Sequence, residues 1–201
     1  MAGRPLVGVL ALQGDFEAHR SALAARGVDS VEVRTPAELE GVTALVLPGG
    51  ESTTMLKLME STGLADRLAA LVRDGAPVLA TCAGVILLAR EVSHPAQRSL
   101  GLLDVGVERN AYGRQLESAV VELEVEPGAG LEAPRLEGVF IRAPRVTDVG
   151  ESIRVLARRG RDPVLLRQGN VLAATFHPEL SAVSPVIDLF LRAVRNGSAR
   201  P

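Results

Sequence analysis

The sequence predicts an α/β fold of three layers, in which helices cover both faces of a mixed, mainly parallel central sheet. Within the first 90 residues, apolar runs typical of buried strands alternate with amphipathic stretches typical of helices, and the connecting turns are short. Such alternation implies parallel strands joined by crossover helices. Hydrophobic residues make up 47% of the chain but aromatic ones only 2%, so the core must be aliphatic, as in buried parallel sheets.

The second half of the chain has a different pattern. Strand-like segments follow one another there without a long helix between them, and Gln168-Gly169-Asn170 is typical of a hairpin turn. We therefore expect antiparallel strands to extend the sheet. Predicted strands lie at 6–12, 31–34, 44–47, 77–80, 105–109, 119–125, 138–142, 153–157, 164–168 and 171–176. Predicted helices begin at residues 16, 52, 64, 85 and 185, and His19 is expected on the surface of the first of them.

Composition limits the classes of function. A chain of 201 residues without a linker or repeat is expected to form a single domain, residues 1–201. The net charge of −2 gives no electrostatic case for binding nucleic acid or an anionic membrane. There is one cysteine, and the N-terminal residues do not resemble a signal peptide. We therefore expect a cytoplasmic protein without an internal disulfide.

Cys82 is the candidate nucleophile. It lies between a predicted strand, residues 77–80, and a predicted helix, residues 85–90, and its neighbours Thr81, Ala83 and Gly84 are small. This is the arrangement of a nucleophile elbow. A free thiol has a pKa of about 8.5, and a helix N-terminus stabilises the thiolate by only about 0.3–1 kcal/mol. A base is therefore also required.

His177 is the strongest candidate for that base. It directly follows the predicted strand 171–176, and Pro178 holds Glu179 two residues away. A carboxylate can fix the tautomer of a catalytic histidine and stabilise its imidazolium form. The remaining histidines are less suitable, because His19 is predicted within a helix and His94 in a loop.

Each of these features has a simpler explanation when taken alone. An isolated cysteine is commonly a small buried core residue. The His-Pro-Glu triplet could simply end a strand, and Gly49-Gly50 could be an ordinary turn. Together they favour catalysis, because the carboxyl ends of parallel strands meet at one edge of a sheet. The amides of Gly50 and Ala83 would then be the candidate oxyanion donors.

Several motifs identify the family that this chain resembles. They are Pro48-Gly49-Gly50-Glu51-Ser52-Thr53-Thr54-Met55, Thr81-Cys82-Ala83-Gly84, Val107-Glu108-Arg109-Asn110, Phe140-Ile141-Arg142-Ala143-Pro144 and Phe176-His177-Pro178-Glu179. From about residue 6 to 195 the chain resembles the glutaminase subunits of pyridoxal 5′-phosphate synthase (the PdxT/SNO family), which are class I (triad) glutamine amidotransferases with a flavodoxin-like fold. One departure is Ala80, where the family often has glycine; the extra methyl group is expected to be tolerated.

The resemblance implies a reaction and a set of contacts. Cys82 would attack the side-chain amide of L-glutamine, His177 would transfer the proton, and Glu179 would orient His177. The substrate contacts that it implies are Gly50, Glu51, Ser52, Arg109, Ile141 and Arg142. A guanidinium group suits the α-carboxylate of glutamine, and the carboxylate of Glu51 suits its α-ammonium group. No metal site is evident, and hydrolysis needs no cofactor.

The resemblance also implies a partner in a hetero-oligomeric complex. Ammonia would pass to a (β/α)8-barrel synthase subunit that builds pyridoxal 5′-phosphate, and docking would reorient the Gly49-Gly50 peptide and activate the glutaminase. Other interpretations are the glutaminase subunit of another ammonia-channelling complex, such as imidazole glycerol phosphate synthase, a γ-glutamyl hydrolase or cysteine peptidase, and a non-catalytic regulatory protein. The Gly-Gly-Glu-Ser-Thr-Thr segment argues against the first of these, and the intact triad argues against the last.

Overall fold

Two sheets and five α-helices make up the part of the chain that the computed structural model describes, residues 4–109, 111, 118–132 and 134–197. The strands are β1 (Val7–Leu10), β2 (Ser30–Val33), β3 (Ala44–Leu47), β4 (Val78–Thr81), β5 (Ala89–Ser93), β6 (Leu103–Glu108), β7 (Ser118–Val125), β8 (Arg135–Ile141), β9 (Arg145–Val149), β10 (Arg154–Arg159), β11 (Asp162–Gln168) and β12 (Val171–Ala174). The helices are α1 (Phe16–Ala24), α2 (Ser52–Thr62), α3 (Leu64–Arg73), α4 (Ala83–Leu88) and α5 (Pro185–Gly197).

The larger sheet has the strand order β2-β1-β3-β4-β12-β11-β10-β7-β8. Its first five strands are parallel, and every pairing from β12 to β8 is antiparallel. Leu79 of β4 lies beside Val46 of β3 on one side and Leu172 of β12 on the other. The sheet is therefore mixed, as predicted, and β12 joins its parallel and antiparallel parts.

Helices cover both faces of the parallel strands. Successive strand residues point to opposite faces, so Leu45 and Leu47 pack in one apolar cluster while Ala44 and Val46 pack in the other. The first cluster includes buried residues of α2, α3 and α4, and the second includes buried residues of α1 and α5. This arrangement confirms the predicted three-layer architecture.

A second sheet, of order β5-β6-β9, begins within a segment that was predicted to be helical. The helix predicted over 85–90 ends at Leu88, and Ala89 already begins β5. The carbonyl groups of Leu87 and Leu88 accept hydrogen bonds, both 2.8 Å long, from the amides of Leu100 and Leu102. These bonds pair the last two carbonyl groups of the helix where the chain leaves it.

Neither β5 nor β9 was predicted from the sequence. Both are short, with half-polar sequences, and they are held partly by tertiary contacts. Arg90 of β5 forms ion pairs with Asp104 of β6 and Asp148 of β9. The predicted turn at 168–170 is confirmed as a hairpin in which Gln168 pairs with Val171. Across the described residues, every helix is too short or too polar to cross a membrane.

Candidate active site

Cys82 occupies a strained turn between β4 and α4. Its backbone has φ 48° and ψ −106°, a conformation that residues with a Cβ atom rarely adopt. The amide of Cys82 donates a 2.9 Å hydrogen bond to the carbonyl oxygen of Ala174, which ties the turn to the end of β12. A methyl group on Gly84 would overlap the carbonyl oxygen of Leu47, so the small residues of the motif allow α4 to pack directly on β3.

His177 reaches Cys82 because their strands are neighbours. Thr81 and Ala174 are paired in the parallel ladder of β4 and β12, so the chain leaves both strands at the same edge of the sheet. The amide of His177 donates a 2.8 Å hydrogen bond to the carbonyl oxygen of Val139, and its side chain lines the same cavity as Cys82. The predicted nucleophile and base therefore face the same cavity.

Glu179 completes the arrangement. Its Oε1 lies 2.7 Å from Nδ1 of His177, which leaves Nε2 of the imidazole for the thiol. Burial disfavours the imidazolium, but the hydrogen bonds and negative charges of Cys82 and Glu179 outweigh this effect and raise the pKa of His177 to about 10. Burial also disfavours the charged form of Glu179, which would raise its pKa. Hydrogen bonds from His177 and His19 outweigh this effect and lower the pKa of Glu179 to about 2. The Glu179 carboxylate therefore favours the protonated form of His177.

The glycine pair predicted to form an oxyanion site lies beside these side chains. A Cβ atom on Gly49 would lie 2.5 Å from Cε1 of His177 and 3.4 Å from Cβ of Cys82. Gly50 has φ 155° and lines the cavity described below. The carbonyl oxygen of Gly49 accepts a long hydrogen bond of 3.4 Å from the amide of Asp15. In a trans peptide the Gly50 N–H points away from that contact.

A cavity of about 160 Å³ opens in front of the thiol. It is lined by Gly50, Glu51, Ser52, Cys82, Ile86, Arg109, Ile141, Arg142 and His177. All six predicted substrate contacts are in this set, together with two of the three predicted triad residues. Ala83 begins α4 beside the cavity and is buried. Ile86 was not predicted, although it lies one turn after Cys82 on the same short helix.

Glu51 and Arg109 face the cavity as a pair. Glu51 caps α2, because its carboxylate accepts hydrogen bonds from the amides of Thr53 and Thr54. It also accepts from the Thr54 hydroxyl, and these bonds lower the pKa of Glu51 to about 2 despite opposing desolvation. Arg109 Nη2 lies 3.2 Å from the same carboxylate. The carboxylate assigned to the α-ammonium group by resemblance therefore already has several protein partners.

Ser52 is buried beneath this pair. Its hydroxyl donates to Oε1 of Gln97 over 2.9 Å, and the hydroxyl of Thr53 donates to the same oxygen over 3.1 Å. Arg109 Nη1 in turn donates to the Thr53 hydroxyl over 3.2 Å. Gln97 was not predicted, because it lies in a loop 45 residues after Ser52 and no motif marks it.

Ile141 and Arg142 form the opposite wall. The backbone carbonyl oxygen of Ile141 lies 3.9 Å from the sulfur of Cys82. Arg142 follows with φ 43°, a strained value for a residue with a side chain. Its side chain is exposed, and within the described ranges its guanidinium forms no ion pair. Arg142 thus differs from Arg109, whose charge is already balanced by Glu51.

The expected surface position of His19 is wrong. The imidazole is buried, and its Nε2 lies 3.0 Å from the hydroxyl oxygen of Thr81 and 3.3 Å from Oε1 of Glu179. A signal was present in the sequence, because His19 lies four residues before buried Leu23 and therefore on the same face of α1. Gln13, a second unpredicted contact, accepts a hydrogen bond from the amide of Glu51.

In the part of the chain that is described, no three histidine, cysteine or acidic side chains lie close enough together to hold a metal ion. The chemistry that the site can perform with its own groups is nucleophilic attack by sulfur, proton transfer by imidazole and stabilisation of negative charge by amides.

Comparison with known proteins identifies the family. The model of the SNO glutamine amidotransferase family matches residues 9–196. The chain belongs to this family. Among curated relatives of the family, the pyridoxal 5′-phosphate synthase subunit PdxT of Koribacter versatilis is 51% identical over 96% of this chain and 97% of its own. The subunit of the same name from Thermosipho africanus is 48% identical over 94% and 98%.

The fold of this SNO family member is also similar to that of a solved glutamine amidotransferase. A crystal structure described as a glutamine amidotransferase has a TM-score of 0.86 at 48% identity, covering 94% of this chain and 98% of its own. The structure of PurLQS from Thermotoga maritima has a TM-score of 0.68 at 16% identity, over 98% of both chains. The second similarity concerns the fold alone.

Proposed function

We propose that this chain hydrolyses L-glutamine to L-glutamate and ammonia, and that Cys82, His177 and Glu179 are its catalytic residues. One observation carries the proposal: the thiol and the imidazole line one cavity whose size suits a small substrate, and the carboxylate of Glu179 lies 2.7 Å from Nδ1 of that imidazole. Membership of a glutamine amidotransferase family supports an amide as the substrate.

The reaction follows from the positions of these groups. The sulfur of Cys82 attacks the side-chain amide carbon of glutamine, and negative charge develops on the amide oxygen. The amides of Gly50 and Ala83 stabilise that charge. His177 takes the thiol proton on Nε2 and gives it to the departing nitrogen. The C–N bond then breaks, ammonia leaves, and a γ-glutamyl thioester remains on Cys82. Water, deprotonated by His177, then attacks the thioester, and glutamate leaves as the thiol is restored.

The first test measures ammonia and glutamate released from L-glutamine by the wild-type chain and by Cys82→Ala. We expect product from the wild type and none above background from the variant, because no other thiol is present to form a thioester. Assays with γ-glutamyl peptides run beside it. Preference for those peptides over free glutamine would contradict the proposal and favour a γ-glutamyl hydrolase.

Arg142 is proposed to bind the α-carboxylate of glutamine. It lines the cavity as an exposed cation, whereas Arg109 is held by Glu51. Arginine binds carboxylates through two parallel hydrogen bonds, each strengthened by charge. The wall that selects glutamine would be completed by Ile141, Ser52, Glu51 and Arg109.

We expect Arg142→Ala to raise KM for glutamine by about 10- to 100-fold, the range of a lost charge-assisted hydrogen bond. The value of kcat should change much less, because the α-carboxylate is remote from the reacting amide. Arg142→Lys should recover part of the affinity. Unchanged KM in Arg142→Ala would contradict this assignment, and steady-state kinetics measures both parameters.

We further propose that the ammonia passes to a (β/α)8-barrel pyridoxal 5′-phosphate synthase subunit in a hetero-oligomeric complex. Relatives that are 51% and 48% identical over nearly their whole length are named as subunits of pyridoxal 5′-phosphate synthase. The Gly49-Gly50 peptide supports control by docking, since the 3.4 Å bond to Asp15 is weak and either glycine can change its backbone angles easily.

Docking is tested by a glutaminase assay with and without the barrel subunit, while pyridoxal 5′-phosphate is followed by its absorbance. We expect low activity from the isolated chain and a large increase in the complex. Full activity of the isolated chain would contradict control by docking. Failure to support pyridoxal 5′-phosphate formation from glutamine would point to another ammonia-channelling complex, such as imidazole glycerol phosphate synthase.

A further inference from the structure

His19 is a buried histidine for which the proposed reaction has no role. It lies in the middle of α1 and is 1% exposed. Its Nε2 is shared between the Thr81 hydroxyl, at 3.0 Å, and Oε1 of Glu179, at 3.3 Å. Thr81 directly precedes the nucleophile, and Glu179 contacts the base. His19 therefore contacts the triad carboxylate and the residue before the nucleophile, and it is not among the residues that line the cavity.

The position of the proton on His19 follows from the carboxylate. Glu179 is ionised, since its pKa is lowered to about 2, and an ionised carboxylate can only accept hydrogen bonds. An unprotonated Nε2 facing it would be repelled. The Nε2 of His19 therefore carries the hydrogen and donates to Glu179. The hydroxyl oxygen of Thr81 shares this N–H and fixes the plane of the ring.

Glu179 depends on this donor. Its Oε1 lies 2.7 Å from Nδ1 of His177 and 3.3 Å from Nε2 of His19, while its buried Oε2 has no hydrogen-bond partner among the described residues. A buried carboxylate is costly unless hydrogen bonds and opposite charge compensate for its lost hydration. Removing His19 would leave a single donor, and the carboxylate could then turn away from His177 or take up a proton.

We propose that His19 is a positioning residue for glutamine hydrolysis, which holds the Glu179 carboxylate aligned on Nδ1 of His177. The proposal rests on the function proposed above. His19 does not touch the reacting atoms, so it acts on the chemical step through Glu179 and His177. It should influence kcat far more than KM, because the substrate contacts lie on the other side of the triad.

Two variants separate the hydrogen bond from the space that the ring fills. His19→Leu removes the donor but keeps an apolar side chain of moderate size. His19→Gln keeps an N–H at nearly the reach of Nε2. We expect His19→Leu to lower kcat about 10- to 100-fold with KM within about threefold, the effect of losing one hydrogen bond to a charged group. His19→Gln should recover most of the activity.

A measurement that needs no glutamine accompanies the kinetics. The proton on Nδ1 of His177, bound to a buried carboxylate, should give a low-field resonance in the NMR spectrum of the free protein. We expect this resonance in the wild type and in His19→Gln, and its loss or displacement in His19→Leu. Leu23→Val is the matched control, because it loosens the packing of the same helix four residues later. It should lower the unfolding midpoint and leave the resonance in place.

The outcomes divide clearly. A normal resonance and normal kcat in a folded His19→Leu would overturn the proposal, as would a His19→Gln variant as impaired as His19→Leu. Loss of the resonance in Leu23→Val would also overturn it, by showing that helix packing alone is responsible. Absence of ammonia release by the wild type would overturn the proposed function instead, while the NMR comparison would still decide the role of His19.

Discussion

Glu179 is a carboxylate buried between two histidines, and its charge depends on them. Burial alone would favour the protonated acid, but donors from His177 and His19 lower the pKa to about 2. The contrast with Glu51 is informative, since Glu51 reaches a similar pKa at the surface by capping a helix. Neutralising Glu179 should therefore affect the stability of the fold. The carboxylate of Glu51 differs, because water also reaches it.

The depressed pKa of Glu179 predicts a specific dependence of stability on pH. Its folded value, about 2, lies below the ordinary value of 4.5, so its contribution is fully present above pH 4.5 and is lost as pH falls towards 2. A shift of this size corresponds to about 3 kcal/mol. We expect wild type to exceed Glu179→Gln in stability above pH 4.5 and to lose that advantage on acidification. Urea unfolding at several pH values measures it, and a constant difference between the two proteins would contradict the prediction.

At the scale of elements, α4 is short and yet decides where the thiol lies. Its six residues are all buried, and it begins directly after the strained Cys82. The helix approaches β3 so closely that residue 84 must lack a side chain. The backbone of β3, the strained turn and the helix N-terminus therefore form one rigid support for the nucleophile.

We expect Gly84→Ala to destabilise the protein by about 1–3 kcal/mol, because the added methyl group must displace the backbone of β3 or α4. Glutaminase activity should fall as well, since Cys82 would move with the helix. Gly197→Ala is the matched control, as its methyl group would meet only Pro77 at an ordinary 3.5 Å. Thermal unfolding compares the two variants, and equal effects would show that the close packing at Gly84 is not limiting.

At the scale of the whole molecule, the contact of β4 with β12 joins the two parts of the chain. The nucleophile comes from the parallel part, and the base follows the last strand, which reaches the parallel part only after an antiparallel hairpin with β11. Asn170 in that hairpin fixes the join, because its amide donates to the carbonyl oxygens of Val72 and Ala76, over 2.9 and 2.6 Å.

Replacing Asn170 with alanine should cost about 1–3 kcal/mol, since the carbonyl oxygen of Ala76 would lose its side-chain donor and that of Val72 would keep only the amide of Gly75. Arg167→Ala in the same hairpin is the control, because its side chain is exposed and donates to the carbonyl oxygen of Gly169 within the hairpin itself. Its effect should stay within about 0.5 kcal/mol. Chemical denaturation of both variants provides the comparison. A loss in Arg167→Ala equal to that in Asn170→Ala would contradict a special role for the amide.

Much of the architecture follows from local sequence pattern. The buried strands β1, β3 and β4 are uninterrupted apolar runs, and α3 and α5 are amphipathic with a 3.6-residue period, so their type could be predicted. Strands β5 and β9 could not, because half-polar segments gain their strand structure from partners such as β6. The extent of a single domain over residues 1–201 stays a prediction.

The sequence by itself determined the chemical groups: one thiol placed after a buried strand, one histidine fixed to a carboxylate by proline, and glycines beside them. These are local features, because turn geometry and chemistry depend on neighbouring residues. Only the tertiary structure decided that Arg109 is paired while Arg142 is exposed, and that His19 lies behind the triad. Such choices depend on contacts between residues far apart in the chain, which no local pattern specifies.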